Sequence, residues 1–241
     1  KHRLQEILRI TEEKKIPLKY LDRDQFRKLF SSSILSDSEY KTHDPAYFNH
    51  SEEFSAAQGV IAFVSGYNYS DMETALRTEL KSGSIFVMLD EVTDVGNFGA
   101  ILRICSAFNV DGVIVPKNRS VSPGRRASRI SSGALEEVRI FSVTNLVNAI
   151  KMLKAGGCWI YGTTPGEDET EKVADAASTG FNFPVVLVFG NEQKGIGKLV
   201  KKNCDLLVKI VHTGKMQSLN VSVTVGIMLY ILRQSEKGIK A

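Results

Sequence analysis

Short apolar runs rich in β-branched residues alternate with longer helical or loop segments from residue 84 to the end of the chain. Six such runs lie at residues 85–89, 113–115, 138–141, 158–161, 185–189 and 206–211. Strands that alternate with helices are typical of a largely parallel sheet with helices on both faces, because each parallel crossover needs room for a helix. We therefore expect an α/β fold with its binding loops at the carboxyl ends of the strands.

Residues 1–65 predict a small α/β module that contains two helices. Apolar residues recur at helical spacing from Leu4, so the first helix is already under way there, which leaves room for a preceding segment. Asp22 and Gln25 form a capping-box pattern that predicts the start of the second helix.

Less regular sequence fills the rest of this front region. Residues 16–21 and 58–64 are typical of strands, whereas residues 31–55 lack a clear period and indicate an irregular insertion. Residues 66–83 are polar without a strong apolar period, which indicates a linker. We expect a front domain over residues 1–65, a linker over 66–83 and a main domain over 84–241.

Charge and cysteine content limit the classes of function. The formal net charge of +4 at pH 7 is compatible with a polyanionic partner but too small to demonstrate one. Cys105, Cys158 and Cys204 are far apart and form no CxxC pair, which favours free thiols in a reducing cytoplasm. The most apolar stretch, residues 221–232, is shorter than the roughly 20 residues that span a bilayer, so we expect no membrane insertion.

Three loops expected near the strand ends carry unusual sequence. The first, residues 94–103 (DVGNFGAILR), opens a helix for which Asn97 is a suitable N-cap, with Arg103 less than two turns later. The second, residues 188–197 (VFGNEQKGIG), has glycines that let backbone amides approach a ligand. The third, residues 210–222 (IVHTGKMQSLNVS), leads into the terminal helix, which Ser218 or Asn220 could cap. Each loop also has an ordinary interpretation as a cap or a turn.

The glycine-rich loop excludes two familiar nucleotide sites. It is not a Walker loop, because Ile196 follows Gly195 where a lysine would stand, and it is not a GxGxxG dinucleotide fingerprint. The second absence weakens the hypothesis of a Rossmann dehydrogenase. No histidine is paired with a carboxylate near a nucleophile in the sequence pattern, so we do not expect hydrolysis by a Ser-His-Asp set.

Taken together, the three loops resemble the motifs of the SpoU/TrmH branch of the SPOUT RNA methyltransferases. These are an Asn and Arg motif, a Gly-x-Glu-x-x-Gly motif and a Ser-Leu-Asn-Val-Ser motif, in that order along residues 84–235. Residues 112–140 are most similar to the branch that methylates a guanosine ribose in 23S ribosomal RNA. Residues 1–64 are similar to the RNA-binding front domain of that branch.

The resemblance implies an S-adenosylmethionine-dependent RNA ribose 2'-O-methyltransferase that uses no metal. It implies a sheet whose C-terminal part is threaded into a deep trefoil knot, an exception to the general absence of knots. It also implies a homodimer with its active site near the subunit interface, and the apolar helix expected from residue 219 suits burial there.

Carried over by position, the implied roles fall on three groups of residues. The catalytic set would be Asn97, Arg103, Glu192, Ser218 and Asn220. Cofactor contacts would come from Thr163, Thr164, Gly190, Ile210, Met216 and Leu219. This chain departs from the family pattern at Asn191, where a small residue is usual, and at Val211 and His212, which replace Pro-Met. We expect His212 to be a partly exposed loop residue without a catalytic role.

Methyl transfer to a hydroxyl requires alignment and the removal of one proton. Arg103 is an unlikely base unaided, because a guanidinium has a pKa above about 12. Either a substrate phosphate accepts the proton, or Arg103 only orients phosphate and hydroxyl. The best candidate for RNA binding is an acid-free segment containing Lys117, Arg119, Arg125, Arg126 and Arg129, although a solvated basic face is the alternative.

Other functions remain open at this point. A transfer RNA ribose methyltransferase would share the catalytic domain but would generally lack such a front domain. A non-catalytic RNA-binding protein would not need the intact set of Asn97, Arg103, Glu192 and Asn220.

Overall fold

The computed structural model describes residues 2–35, 59–63, 66–165, 173–191, 193–216 and 218–238. The chain divides into two compact units, Lys1–Ser65 and Gly66–Ala241. Each unit is described by itself.

The first unit contains two helices, α1 (His2–Glu13) and α2 (Arg23–Leu35). The Oδ1 atom of Asp22 accepts hydrogen bonds from the backbone N–H groups of Asp24 (3.0 Å) and Gln25 (2.8 Å). The Gln25 side chain in turn accepts from the backbone N–H of Asp22 (3.3 Å). This reciprocal pair confirms the predicted capping box.

Other predictions for the first unit were wrong. Residues 16–21 form no strand, and neither do residues 59–63, the described part of the second predicted strand. The physical reason is that a strand needs a hydrogen-bonded partner, and none runs beside either segment among the described residues. Helix α2 continues to Leu35, so the predicted irregular insertion begins with helix, and its remainder lies outside the described residues.

The second unit is built on a sheet of seven parallel strands in the order β3-β2-β1-β6-β4-β7-β5. In chain order they are β1 (Ile85–Leu89), β2 (Gly112–Pro116), β3 (Ile140–Val143), β4 (Trp159–Thr163), β5 (Val173–Asp175), β6 (Val185–Phe189) and β7 (Leu206–Lys209). Six of them confirm the predicted parallel α/β sheet. The short edge strand β5 was not predicted, because three residues carry no periodicity.

The central strands are apolar throughout because both of their faces are buried. On β1, Ile85, Val87 and Leu89 belong to one hydrophobic cluster, whereas Phe86 and Met88 belong to the other. Successive side chains of a strand point to opposite faces, so one run of five apolar residues supplies two cores.

Helices cover the two faces in separate layers. The first layer contains α4 (Val95–Ala107), α5 (Arg125–Ser131), α6 (Ala134–Glu137) and α9 (Val221–Gly238), with a 3₁₀ turn at Ala176–Ser178. The second contains α3 (Met72–Thr78), α7 (Leu146–Ala155) and α8 (Lys198–Asn203). Among the described residues, no helix is long and apolar enough to cross a bilayer.

Residues 66–83, expected as a linker, lie within the second unit. Asp71 caps α3 by accepting from the backbone N–H of Thr74 (2.7 Å), and Met72 and Ala75 are buried in the second layer. The backbone N–H of Ser70 donates to the carbonyl of Ile140 (2.9 Å), so the segment also runs along the edge strand β3. A helix of seven residues with two buried side chains is too short to give a clear period.

Candidate active site

Two asparagines bring the first and third motif loops together. The Nδ2 atom of Asn220 donates to Oδ1 of Asn97 over 3.0 Å, across 123 positions of sequence. Asn220 also directly precedes α9 and caps it, because its Oδ1 accepts from the backbone N–H of Ser222 (2.9 Å). This bond confirms one of the two expected caps. The expectation that Asn97 caps α4 was wrong. Asp94 is the cap and accepts from the backbone N–H of Asn97 (2.7 Å).

The helices that carry these asparagines are held together at both ends. Arg233, near the end of α9, donates from Nε (3.1 Å) and Nη2 (2.6 Å) to the carbonyl of Phe108, which follows the last turn of α4. The same Nη2 donates to the carbonyl of Asn109 (2.9 Å). A cation is favourable at a helix C-terminus, where carbonyls lack helical partners. The Asn97–Asn220 contact is therefore set by two helices running in the same direction rather than by mobile loop ends.

The glycine-rich loop folds back on itself directly after β6. Asn191 and Gly195 exchange two backbone hydrogen bonds (3.2 and 2.8 Å), and Gly195 has a positive φ of 65°. A Cβ atom on Gly190 would lie 2.1 Å from the carbonyl carbon of Gly195. Glycine is therefore required at position 190, because any side chain would enter the returning backbone.

The side chain of Asn191 fixes this loop to its surroundings. Its Oδ1 accepts from the backbone N–H groups of Gln193 (2.9 Å) and Lys194 (3.3 Å). Its Nδ2 donates to the carbonyl of Glu91, in the turn after β1 (3.0 Å). Glycine or alanine at this position could make none of these three bonds. The departure at Asn191 therefore adds contacts of its own to the loop.

Asp90 holds the other end of the loop and was not anticipated from the sequence. It directly follows β1, is 8% exposed, and accepts from the backbone N–H of Gly197 (2.7 Å). Burial raises the pKa of its carboxyl above the usual range, while the bond from Gly197 opposes the rise. Its only signal in the sequence was an acidic residue at the end of an apolar strand.

A cleft of about 470 Å³ opens where β4, β6 and β7 end. Five of the six residues expected to contact a cofactor line it, namely Thr163, Thr164, Gly190, Ile210 and Leu219, and so does Ser218 from the expected catalytic set. Residues of α9 close one side, through Val221, Thr224 and Met228, and had not been predicted. The size is within the usual range of roughly 300–1,000 Å³ for small-molecule sites.

Four of the described residues predicted for catalysis or cofactor binding do not line the cleft. Met216 is 73% exposed, and Arg103 is exposed on α4. Asn97 and Asn220 pair with one another, and Asn220 stands between Leu219 and Val221, which do line the cleft. Glu192 lies outside the described residues. His212 is exposed, as expected, and lines the cleft.

The predicted RNA-binding segment follows β2 and enters α5. Lys117, Arg119, Arg125, Arg126 and Arg129 are all exposed. Arg119 pairs with Glu91 (3.0 Å), and the backbone N–H of Val121 donates to the carbonyl of Val92 (3.3 Å). These two contacts bring the segment to the turn between β1 and α4, close to the start of the helix that carries Asn97.

The cysteines are unsuited to nucleophilic chemistry. Burial raises the pKa of Cys158 to about 11 and that of Cys204 to about 12, and it raises the pKa of buried Cys105 further. All three are thus protonated thiols at neutral pH, whereas the thiolate is the reactive form. Within the described ranges, no group of three or more His, Cys, Asp and Glu side chains is arranged to hold a metal ion.

Comparison with known families identifies this arrangement. The model of the SpoU rRNA Methylase family matches residues 84–230, which is more than half of the chain. The chain belongs to the SpoU rRNA methylase family. YacO of Bacillus subtilis (strain 168), assigned to the TrmH family of tRNA/rRNA methyltransferases, is 36% identical over 175 residues, which are 72% of this chain and 68% of YacO.

Solved structures of the SpoU family share the fold. An AdoMet-bound rRNA methyltransferase from Sinorhizobium meliloti is 27% identical with a TM-score of 0.62, over 69% of this chain and 61% of that protein. The A. aeolicus TrmH/SpoU tRNA modifying enzyme is 29% identical with a TM-score of 0.57, over 69% of this chain and 84% of that one. The chain thus spans about three fifths of the length of the S. meliloti protein.

Proposed function

We propose that this chain transfers a methyl group from S-adenosylmethionine to a ribose 2'-hydroxyl of RNA, with a guanosine of 23S ribosomal RNA as the target. The observation that carries the proposal is the Asn97–Asn220 hydrogen bond, because it joins two motif loops at the edge of the cleft that the third motif loop lines. We also propose that the enzyme acts in the cytoplasm. Transfer RNA is the second candidate, supported by the 84% coverage of the A. aeolicus enzyme.

The cleft fits S-adenosylmethionine in shape and chemistry. Gly190 and Gly195 bring the loop backbone to its wall with no side chain between, which suits a nucleoside. Ile196, Ile210 and Leu219 supply apolar surface for the adenine ring. The Thr163 hydroxyl donates to the carbonyl of Val188 (2.9 Å) and can still accept a hydrogen bond, and Thr164 supplies a second hydroxyl. The ammonium group of Lys194 would attract the methionyl carboxylate.

The protein's task in this reaction is alignment and proton removal. When bound, S-adenosylmethionine supplies a methyl group on a positively charged sulfur. The attacking oxygen approaches the methyl carbon in line with the carbon–sulfur bond that breaks. Asn220 and Asn97 would fix the ribose side of the site, with Ser218 between them and the cleft. Arg103 would orient the target phosphate and hydroxyl, and the phosphate is the proposed proton acceptor because the guanidinium remains protonated.

Two further features belong to the proposal. Val223 and Tyr230 are 49% and 57% exposed on one face of α9, two turns apart, and we propose that this face packs in a homodimer. We also propose that the C-terminal part of the sheet is threaded into a trefoil knot. Residues 1–65 would select the RNA, because phosphate contacts alone carry no sequence information.

Transfer of labelled methyl groups tests the proposal. We expect the full chain to label 23S ribosomal RNA from tritiated S-adenosylmethionine without added metal, and Arg103→Ala to abolish labelling. Labelling of transfer RNA in place of 23S RNA would favour the second candidate. Calorimetry with S-adenosylhomocysteine is the companion measurement, and no heat of binding in a folded sample would refute the methyltransferase.

A further inference from the structure

An exposed tyrosine, Tyr69, belongs to the part of the chain that was expected to be a linker. It lies against the predicted RNA-binding segment, residues 117–131, which we call the basic segment. Tyr69 is 42% exposed, and its phenol lies beside the side chain of Ser122. Ser122 stands between Arg119 and Arg125, in the acid-free run of residues 117–131. Other exposed aromatic residues of the second unit lie elsewhere, since Trp159 begins β4 and Tyr230 lies on α9.

One contact of the Tyr69 ring and two hydrogen bonds of neighbouring residues hold Tyr69 in place. Its ring meets the ring of Tyr67 edge to face, with centroids 5.4 Å apart and an interplanar angle of 77°. Tyr67 is itself fixed, because its hydroxyl donates to the carbonyl of Val138 (3.2 Å). The backbone N–H of Ser70, the next residue, donates to Ile140 (2.9 Å). The ring is therefore preorganised, and ordering it on binding costs little entropy.

The charges around Tyr69 favour a polyanion. Five exposed cations lie in the basic segment, and the nearby acids are partly engaged, Glu91 by Arg119 (3.0 Å) and Glu136 by the hydroxyl of Ser128 (2.9 Å). Cations that bind phosphates next to an exposed aromatic ring are the usual combination in proteins that bind single-stranded RNA, because every base has a face that can stack. A folded duplex offers phosphates but no free base face.

We propose that Tyr69 is a stacking platform for an unpaired base of the RNA held by the basic segment. The inference rests on the proposed function, since it takes RNA as the ligand. Val121, next to Ser122, bonds to Val92 two residues before the cap of α4, so a strand crossing the basic segment passes from Tyr69 toward Asn97. Tyr69 would thus hold a base that flanks the target nucleotide.

The salt dependence of RNA affinity can separate the contribution of the Tyr69 ring from that of the cations. The probes are a fluorescent oligoadenylate of about 12 nucleotides, within the usual site sizes of single-strand binders, and an RNA duplex of about the same length. Tyr69→Leu should weaken oligoadenylate binding by about 5- to 100-fold, with an unchanged slope of log affinity against log salt and unchanged duplex affinity. Tyr69→Phe, which removes the hydroxyl but keeps the ring, should bind within about twofold of the unaltered chain.

Matched variants make each result decisive. Trp159→Leu removes an exposed aromatic ring at the start of β4, away from the basic segment, and should leave the binding of both probes unchanged. A double change of Arg125→Ala and Arg126→Ala should weaken binding to both probes and lower the salt slope by about one per lost phosphate contact. If Tyr69→Leu binds oligoadenylate as the unaltered chain does, or lowers the salt slope, the stacking inference is overturned while the RNA surface stands. If the unaltered chain binds neither probe, the RNA surface itself is overturned.

A second measurement does not depend on a leucine variant that folds. The fluorescence of 2-aminopurine placed in the oligonucleotide should be quenched on binding to the unaltered chain and to Tyr69→Phe, because stacking on an aromatic ring quenches this base. Binding without quenching at every position tested would overturn the proposal. Calorimetry with S-adenosylhomocysteine on the same samples reports separately on the cofactor site, so a failure there would concern the proposed methyltransferase and not Tyr69.

Discussion

Replacement of Gly190 by alanine should weaken cofactor binding at the proposed site while leaving the sheet intact. The added Cβ would lie 2.1 Å from the carbonyl carbon of Gly195, 2.2 Å from the nitrogen of Ile196 and 2.3 Å from the oxygen of Gly195, all backbone atoms. Ordinary contact begins at 3.4 Å, so the returning backbone must move by about 3.4 − 2.1 = 1.3 Å. That shift breaks the paired hydrogen bonds between Asn191 and Gly195.

The magnitude follows from the cost of overpacking. Inserting a methyl group into a tightly packed site costs about 1–3 kcal/mol, and more where the backbone has to yield. If the loop opens to relieve the strain, the closed form that binds the cofactor is disfavoured by that amount, which lowers affinity about 5- to 150-fold. The far-ultraviolet circular dichroism should not change, since the strands do not include the loop.

Calorimetric titration with S-adenosylhomocysteine measures this effect. Gly180→Ala is the matched control, because a Cβ there meets nothing within 4 Å and the residue is exposed away from the cleft lining. The control should bind as the unaltered chain does. Unchanged affinity in Gly190→Ala would refute the argument that the returning loop forms the cofactor wall.

Four further outcomes follow from the same geometry. Asn191→Ala removes three hydrogen bonds from the loop and should lower S-adenosylhomocysteine affinity by about tenfold. The control Asn203→Ala, which removes a bond to Leu199 on α8 (2.7 Å), should leave this affinity unchanged. Equal losses of affinity in calorimetry would contradict the view that Asn191 positions the loop. Arg103→Ala should abolish methyl transfer while cofactor affinity stays within a few fold, and near-normal turnover would remove Arg103 from the catalytic set. Neutralising Arg125 and Arg126 should reduce the salt slope of binding to ribosomal RNA, and an unchanged slope would place the RNA elsewhere. A chain starting at Gly66, the first residue of the second unit, should bind S-adenosylhomocysteine but methylate ribosomal RNA poorly; modification of the same nucleotide at the full rate would show that residues 1–65 do not select the RNA.

The sequence predicted the sheet well because burial on both faces leaves a direct signature. The apolar runs at β1 and β6 match the observed strands at both ends. Short elements escaped prediction, as β5 and α3 did, since three to seven residues contain too little periodicity. No strand forms at 16–21 or at 59–63, the described part of the predicted strand at 58–64, for a related reason: local propensity gives no information on whether a partner strand is present.

The sequence placed the motif residues in three loops but gave no information on the contacts between them. Motif positions placed Thr163, Gly190 and Leu219 on one cleft, although they come from separate segments of the chain. The bond between Asn97 and Asn220 depends on the packing of α4 against α9, which the sequence of neither helix specifies. The same holds for Asn191 and Tyr69, whose partners Glu91 and Ser122 are distant in sequence. Such tertiary partners are set by how the elements pack together.

The chemical position of the transferred methyl group tests the central claim most directly. Ribosomal RNA labelled by the full chain with tritiated S-adenosylmethionine would be hydrolysed completely in alkali and separated by size. Alkaline cleavage requires a free 2'-hydroxyl, so a methylated ribose protects the phosphodiester on its 3' side. The account predicts that the label elutes with alkali-resistant dinucleotides, and that Arg103→Ala gives none. Label recovered in mononucleotides would show methylation of a base and would contradict the account.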